Sequence, residues 1–444
     1  MKMKRISRRA CLKAGAAFMI LPYTSARGYA ANERLDVACV GVGGMGRLNH
    51  QRLHKTGENI VALCDVDSRH LDAAAKEYPG ARTWADFREM LDKQKNIDAV
   101  MVSTPDHTHA VVSMAAMKRG KHVCCEKPLA HSIHELHALA AAAKQYKVTT
   151  QVDAEGHAFD GLRQIVERIR AGVIGPVQEV HIWRQSTYRP NGWPERPKRQ
   201  PIPSYLDWDL WLGPAPYRDY HEGLHPGAWR RWWDFGSGVL GDWCGHLFDA
   251  AVWALDLGGP FAIQPQWGGD VADVPPDWAI IRYTFPPYRG RPAVMLTWYE
   301  GQHEAKPPRP EELKPGEELP TGGYLFVGTQ GKMLVRGRNL LTESDQGVLL
   351  PEEKEKTFQP PAPSLPRVRN EDHLLEWIKA CKGGEPTSLP FDGYGSRLFE
   401  IGLLGVAAVR AGKKIEWDTT QPAANHAAEL APYVRPQYRK GWEL

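Results

Sequence analysis

Long apolar runs are missing from this chain of 444 residues. The longest near the N-terminus, Ala14 to Leu21, falls far short of the ~20 residues that a membrane-crossing helix needs, so stable membrane insertion is not expected. Cysteine is scarce as well, with seven in the whole chain. Cys39, Cys64, Cys124, Cys125, Cys244 and Cys381 show neither CxxC nor metal-finger spacing, and four of them lie in apolar runs where cysteine acts as a small buried hydrophobe. No structural disulfide and no metal site are expected. Acidic residues are absent from residues 1–31, which hold seven of the 56 Lys and Arg; without that segment the formal charge of +4 becomes 49 basic against 52 acidic residues, or −3. A near-neutral body offers no footing for nucleic acid. What remains, 42% hydrophobic and 24% charged, is ordinary globular composition for two or three domains.

The N-terminal segment has a basic start, Ser7-Arg8-Arg9-Ala10-Cys11-Leu12-Lys13, then the short apolar stretch, then small residues around Gly28-Tyr29-Ala30-Ala31. It resembles a twin-arginine export signal, which predicts passage of the folded protein into a periplasm by the twin-arginine machinery. The alternative is a basic tail that touches nucleic acid.

From Leu35 short apolar runs alternate with helical stretches. Strands are expected at Asp36–Val42, Ile60–Asp65, Ala99–Ser103, His122–Cys125 and Val148–Val152. The helices between them are expected at Gly44–Lys55, Ser68–Glu77, Trp84–Lys93, His107–Arg119 and Ser132–Tyr146. This grammar predicts a doubly wound parallel sheet over residues 33–152. Val177–Gln185, Trp278–Phe285, Ala293–Glu300 and Tyr324–Val335 then alternate partially, with Gly/Pro-rich connections. They predict an α+β domain over 153–417 with a large open, mostly antiparallel sheet, followed by a tail at 418–444. Helices are expected near Gly241, at Glu371–Cys381 and at Gly393–Ala411. The stretches 304–322 and 351–369, dense in Pro, Glu and Lys, are expected to be solvated loops. Of 16 tryptophans, 12 fall between Trp183 and Trp298; such flat faces can floor a sugar site, although most should be core.

The first expected strand runs into Gly41-Val42-Gly43-Gly44-Met45-Gly46 and a helix. Gly41 permits the tight turn, Gly43 lets the backbone approach a pyrophosphate, and Gly46 lets the helix pack closely on the strand. Gly44 and Met45 complete the turn. Asp65 closes the second strand, where a carboxylate binds adenosine ribose hydroxyls and repels a 2'-phosphate. This Rossmann arrangement predicts NAD in preference to NADP, with Asp67 as an alternative to Asp65. Ser103-Thr104-Pro105-Asp106-His107-Thr108-His109 and Glu126-Lys127-Pro128 follow the fourth and fifth strands, at the sheet edge where such folds bind ligands. Ser103, Thr104, Pro105, His107, His109, Glu126 and Lys127 are therefore cofactor-side candidates. The His107/His109 pair shows no third metal ligand and is better explained as part of that loop.

Together with Gly241-Asp242-Trp243-Cys244-Gly245-His246, these motifs resemble the Gfo/Idh/MocA family of oxidoreductases. The strings Leu206–Pro216 and Trp229–Gly238 resemble a secreted subgroup of it. The resemblance covers nearly all of the chain after residue 31. It implies that Lys127, Asp242 and His246 form the working set on a sugar, cyclitol or glycoside, and that the protein is a homodimer or homotetramer joined through the open sheet face. The i, i+4 spacing is compatible, since it puts Asp242 and His246 on one helix face. Hydride departure from a carbinol carbon requires loss of the hydroxyl proton to a base with a pKa near the working pH, and His246 is the candidate. Asp242 could instead be no more than the N-cap of its helix. Lys127, His157, Trp183, Arg184, Tyr188, Trp233, Asp242 and His246 are the expected substrate contacts. Export of an NAD enzyme further suggests a tightly bound cofactor. Two other readings stay open: a redox-assisted glycoside hydrolase that recycles its NAD, and a non-catalytic NAD- or sugar-binding protein.

Overall fold

The computed structural model describes residues 34–189, 198–301, 305–337, 347–420 and 428–444. The expected export signal at 1–31 lies outside them. The first domain is a parallel sheet of six strands in the order β3-β2-β1-β4-β5-β6, with β1 Asp36–Val40, β2 Asn59–Cys64, β3 Arg82–Trp84, β4 Ala99–Val102, β5 His122–Glu126 and β6 Thr150–Asp153. The connecting helices are α1 Met45–Lys55, α2 Ser68–Glu77, α3 Phe87–Lys93, α4 His109–Lys118 and α5 Ile133–Tyr146. Every residue of β4 is buried, because helices cover both faces of the sheet. A capping box formed by Ser132 and Glu135 opens α5. The short edge strand β3 was not apparent in the sequence, where Arg82-Thr83-Trp84 carries no apolar pattern.

The second domain holds eight strands in the order β13-β12-β11-β7-β10-β9-β8-β14. They are β7 Val177–Arg184, β8 Pro260–Gly268, β9 Trp278–Phe285, β10 Val294–Glu300, β11 Gly322–Gly328, β12 Gly331–Arg336, β13 Val348–Leu350 and β14 Ile415–Asp418. Only β7 and β10 pair in parallel; the other neighbours are antiparallel. The stretch expected as one strand at Tyr324–Val335 is a hairpin, β11 and β12, turning at Thr329 and Gln330. In β8 two prolines obscure the strand pattern. Helices α6 Asp160–Arg170, α7 Trp208–Leu212, α8 Gly238–Leu247, α9 Asp249–Ala254, α10 Glu353–Thr357, α11 His373–Cys381, α12 Tyr394–Ala411 and α13 Ala431–Val434 complete the α-helices of the described residues. Largely buried α12 packs on α8, α5 and β8, and so joins the two domains.

Two expected loops behave differently. Residues 305–320 lie across the outer face of the second sheet, where Ala305 and Leu313 bury against Trp183, Tyr299, Leu325, Leu334 and Leu350. Their few apolar side chains find a wide apolar face, and that outweighs the polar composition around them. Within 351–369, α10 is anchored by Glu355, which accepts from Arg168 at 2.7 Å. Among the described residues, six cysteines are buried and unpaired. Among the described residues, no helix is long and apolar enough to cross a membrane.

Candidate active site

A cavity of about 530 Å³ runs along the C-terminal ends of the first domain's strands and under the second domain. Gly41, Gly43, Gly44 and Met45 line it, together with Asp65, Ser103, Thr104, Pro105, Glu126 and Lys127. The turn needs its glycines: Gly41 has φ +78°, and a Cβ on Gly46 would sit 1.9 Å from the Gly41 carbonyl oxygen. Asp65 accepts from the Val42 N–H at 2.8 Å and the Asp67 N–H at 2.9 Å, which fixes its carboxylate beside the glycine turn. Asp67 does not share that place. It is fully buried and is engaged by Arg69, at 2.6 Å, and by His225, at 2.9 Å. Asp67, His70 and His225 lie close enough to hold an ion, within 4.8 Å, but Arg69 and His225 already satisfy the Asp67 carboxylate.

On the opposite side of the cavity, Lys127 Nζ donates to Asp242 Oδ1 at 2.6 Å and to the Asp242 carbonyl at 3.2 Å. The second Asp242 oxygen accepts from the Tyr188 hydroxyl. Burial pushes the Asp242 pKa up, but Lys127 and then Arg230 pull it below the ordinary carboxylate range. Burial opposes the Lys127 charge; Asp242, above all, nevertheless raises its pKa above the usual value. Asp242 sits in the second turn of α8, whose N-cap is Ser237, so it is not the cap of its helix. His246, one turn further on, lines the same cavity. Burial, then Lys127, pushes its imidazole down to about 3, well below the near-neutral value expected for a poised base.

Several expected contacts are not brought to the cavity. Trp183 is buried in the outer-face cluster and donates to the Pro320 carbonyl at 2.8 Å. Trp233 is core and donates to the Val271 carbonyl at 2.9 Å. His157 pairs with Asp249 at 2.8 Å and stacks on Trp253. Arg184 lies behind the cavity wall with its guanidinium 3.9 Å from the Trp243 ring, and Tyr188 stands behind Asp242. His107 contacts the Trp211 carbonyl at 2.9 Å, while His109 lies 2.7 Å from both the Pro128 and Thr104 carbonyls. Both histidines hold loops rather than line the cavity, and burial lowers their pKa values to about 3 and about 4.

Of the cavity residues that the sequence reading did not single out, Arg230 and Asp106 stand nearest the Lys127–Asp242 pair in charge. Arg230 stands 3.8 Å from Asp242, and its position within a Trp/Arg-rich string was the available signal. Asp106 accepts from the Ser237 hydroxyl at 3.0 Å, and burial raises its pKa to about 7 despite Arg230.

Two family models match the chain: the oxidoreductase family NAD-binding Rossmann fold over residues 35–154, and the oxidoreductase family C-terminal alpha/beta domain over 160–286. The chain belongs to the Gfo/Idh/MocA oxidoreductase family. Inositol 2-dehydrogenase of Rubrobacter xylanophilus is 38% identical over 103 residues, covering 23% of this chain and 29% of the relative. The Salmonella typhimurium inositol 2-dehydrogenase is 30% identical over 151 residues, covering 33% of this chain and 45% of the relative. The chain thus spans less than half the length of these curated relatives. The WlbA dehydrogenase from Bordetella pertussis, solved with NADH and UDP-GlcNAcA, has a TM-score of 0.62 at 16% identity, covering 87% of this chain and 99% of that one. Levoglucosan dehydrogenase, solved with NADH and levoglucosan, has a TM-score of 0.58 at 18% identity over 86% and 99%. At these identities the likeness shows the Gfo/Idh/MocA fold. The glycine turn and the buried, unpartnered Thr104 hydroxyl fit the dinucleotide that this family's first domain binds.

Proposed function

We propose that this Gfo/Idh/MocA protein is an NAD-dependent oxidoreductase acting on a CH–OH group of a sugar, cyclitol or glycoside. The Lys127–Asp242 pair carries the reading, because it joins the two domains on the cavity wall that also presents His246. When bound, NAD supplies the hydride acceptor. Lys127, kept protonated by Asp242, donates to the substrate oxygen and orients it. His246, neutral throughout the physiological range, accepts the hydroxyl proton as the C–H bond opens. Its low pKa makes it a weak base until a bound substrate changes its surroundings. Asp65 supports a preference for NAD over NADP.

A second reading, glycoside hydrolysis with recycled and tightly bound NAD, is favoured by Asp106. With a pKa of about 7, this carboxyl gives the same cavity a second group able to exchange protons near neutrality. The purified protein should be offered a glycoside panel while NADH absorbance and released aglycone are followed together. Stoichiometric NADH supports the dehydrogenase; aglycone without NADH replaces it with the hydrolase. Binding of NAD with neither product would leave only a binding protein.

We propose as well that the protein is exported and self-associates. Export to the periplasm rests on residues 1–31 and is tested by fusing them to a folded reporter. Self-association as a dimer or tetramer is supported by the outer sheet face, where Trp278 and Ile280 pack at the margin of the cluster that 305–320 covers yet remain half-buried beside Gln266. A monomer by light scattering would remove that element.

A further inference from the structure

The cavity extends past the first domain's own residues. Beyond Asp65 its wall is built from Ala85, Phe87, Thr108 and Leu210, and then from Trp442, close to the C-terminus. Trp442 is only 7% exposed. Its ring centroid lies 6.1 Å from that of Phe87, and the Arg88 guanidinium stands 4.2 Å from it on another side. In a doubly wound sheet the acid after the second strand holds the adenosine ribose, so the adenine lies beyond that acid, along this apolar wall.

We propose that residues 435–444 are an adenine clamp: Trp442 forms one wall of the adenine subsite, and the segment around it must lift before the dinucleotide can leave. The clamp rests on the reading that this cavity takes NAD, and it lies outside both family models, which end at residue 286. Its anchorage is extensive. The Arg439 N–H donates to the Pro214 carbonyl at 3.1 Å. The Arg439 side chain donates to the Gly213 carbonyl at 2.8 Å, to Asp209 Oδ1 at 2.6 Å and to the Asp209 carbonyl at 2.7 Å. One residue earlier, the Tyr438 hydroxyl donates to Glu135 at 2.8 Å. Gly213, which receives Arg439, has φ +53°, and a Cβ there would meet the Thr108 methyl at 2.8 Å. The anchor therefore sits directly behind a cavity-lining residue, and movement of the segment and opening of the adenine end are one event.

The test compares NADH with reduced nicotinamide mononucleotide, which lacks the adenosine half, on the full chain without sugar substrate. Trp442→Ala should weaken NADH binding by about 10- to 100-fold, the usual range for loss of an aromatic–base contact, and leave the mononucleotide unchanged. Trp442→Phe should restore most of the affinity. Arg439→Ala, which leaves the cavity lining intact, should speed NADH release in a stopped-flow displacement experiment. Unchanged NADH affinity in Trp442→Ala, or equal weakening of both ligands, overturns the clamp. If Trp442→Ala does not fold, Arg439→Ala decides: an unchanged release rate overturns the proposal. Failure of the parent protein to bind NADH would instead sink the cofactor reading, and a clamp that works in a protein inert to sugars would leave only the sugar reading in error.

Discussion

Lys127 and Asp242 meet at 2.6 Å across the boundary between the two domains, and both are largely withdrawn from solvent. Removing either charge leaves the other buried without its nearest partner, and opening a buried pair from one side costs about 3–5 kcal/mol. Lys127→Met and Asp242→Asn should each abolish sugar turnover and lower the melting temperature, while fluorescence titration still detects NADH. The double variant should recover part of the lost stability and none of the activity. Wild-type turnover in either single variant would remove that residue from the reaction.

Glu126 gives a pH signature. Burial, then the Asp153 charge, raises its pKa to about 8 in the folded protein, whereas an unfolded glutamate titrates at about 4.3. Between these values the folded state holds a proton that the unfolded state lacks, so this group's contribution makes stability fall as pH rises from about 4 to 8. Glu126→Gln should therefore gain melting temperature relative to the parent as pH rises from 5 to 8. The slope is what counts, because a constant offset from altered hydrogen bonding cancels. A pH-independent difference would show that Glu126 is not held protonated.

Gly46→Ala should cut NADH affinity by about 10- to 100-fold, the equivalent of about 1–3 kcal/mol of overpacking. The added methyl would lie 1.9 Å from the Gly41 oxygen, so α1 must move away from β1 and distort the turn. Binding within twofold of the parent in a fluorescence titration would contradict this close approach.

His157→Ala should destabilise the protein by about 1–3 kcal/mol through loss of a buried hydrogen bond to Asp249. It should leave KM unaltered, because His157 lies away from the cavity. Urea unfolding measured beside steady-state kinetics decides the matter: a raised KM at parental stability would return His157 to the substrate site.

The first domain was legible because its information is local. Apolar runs, helix lengths and a glycine turn occupy consecutive residues, and a parallel sheet buried on both faces leaves a strong mark on each strand. Short motifs single out Lys127, Asp242 and His246; the chain brings Lys127 and His246 to one cavity, with Asp242 bonded to Lys127 behind its lining. Trp183, Trp233 and His157 were misplaced because an aromatic residue is equally at home in a core and under a sugar, and only tertiary packing selects between them. Arg230 had only its place in a Trp/Arg-rich string as a signal, and Trp442 had none. They reach the cavity through chain returns, 103 and 315 residues past Lys127, that no short motif encodes.

The segment at 305–320 has a consequence for dilute solution. Apolar area shared between two copies is protected only to the extent that the copies find one another, and its protection fades with concentration. Trp183, Leu325 and Leu334 are instead covered by their own chain. Their burial is as complete in a single molecule as in a crowded solution, so this half of the sheet face should keep its stability at any dilution, whatever happens on the other half.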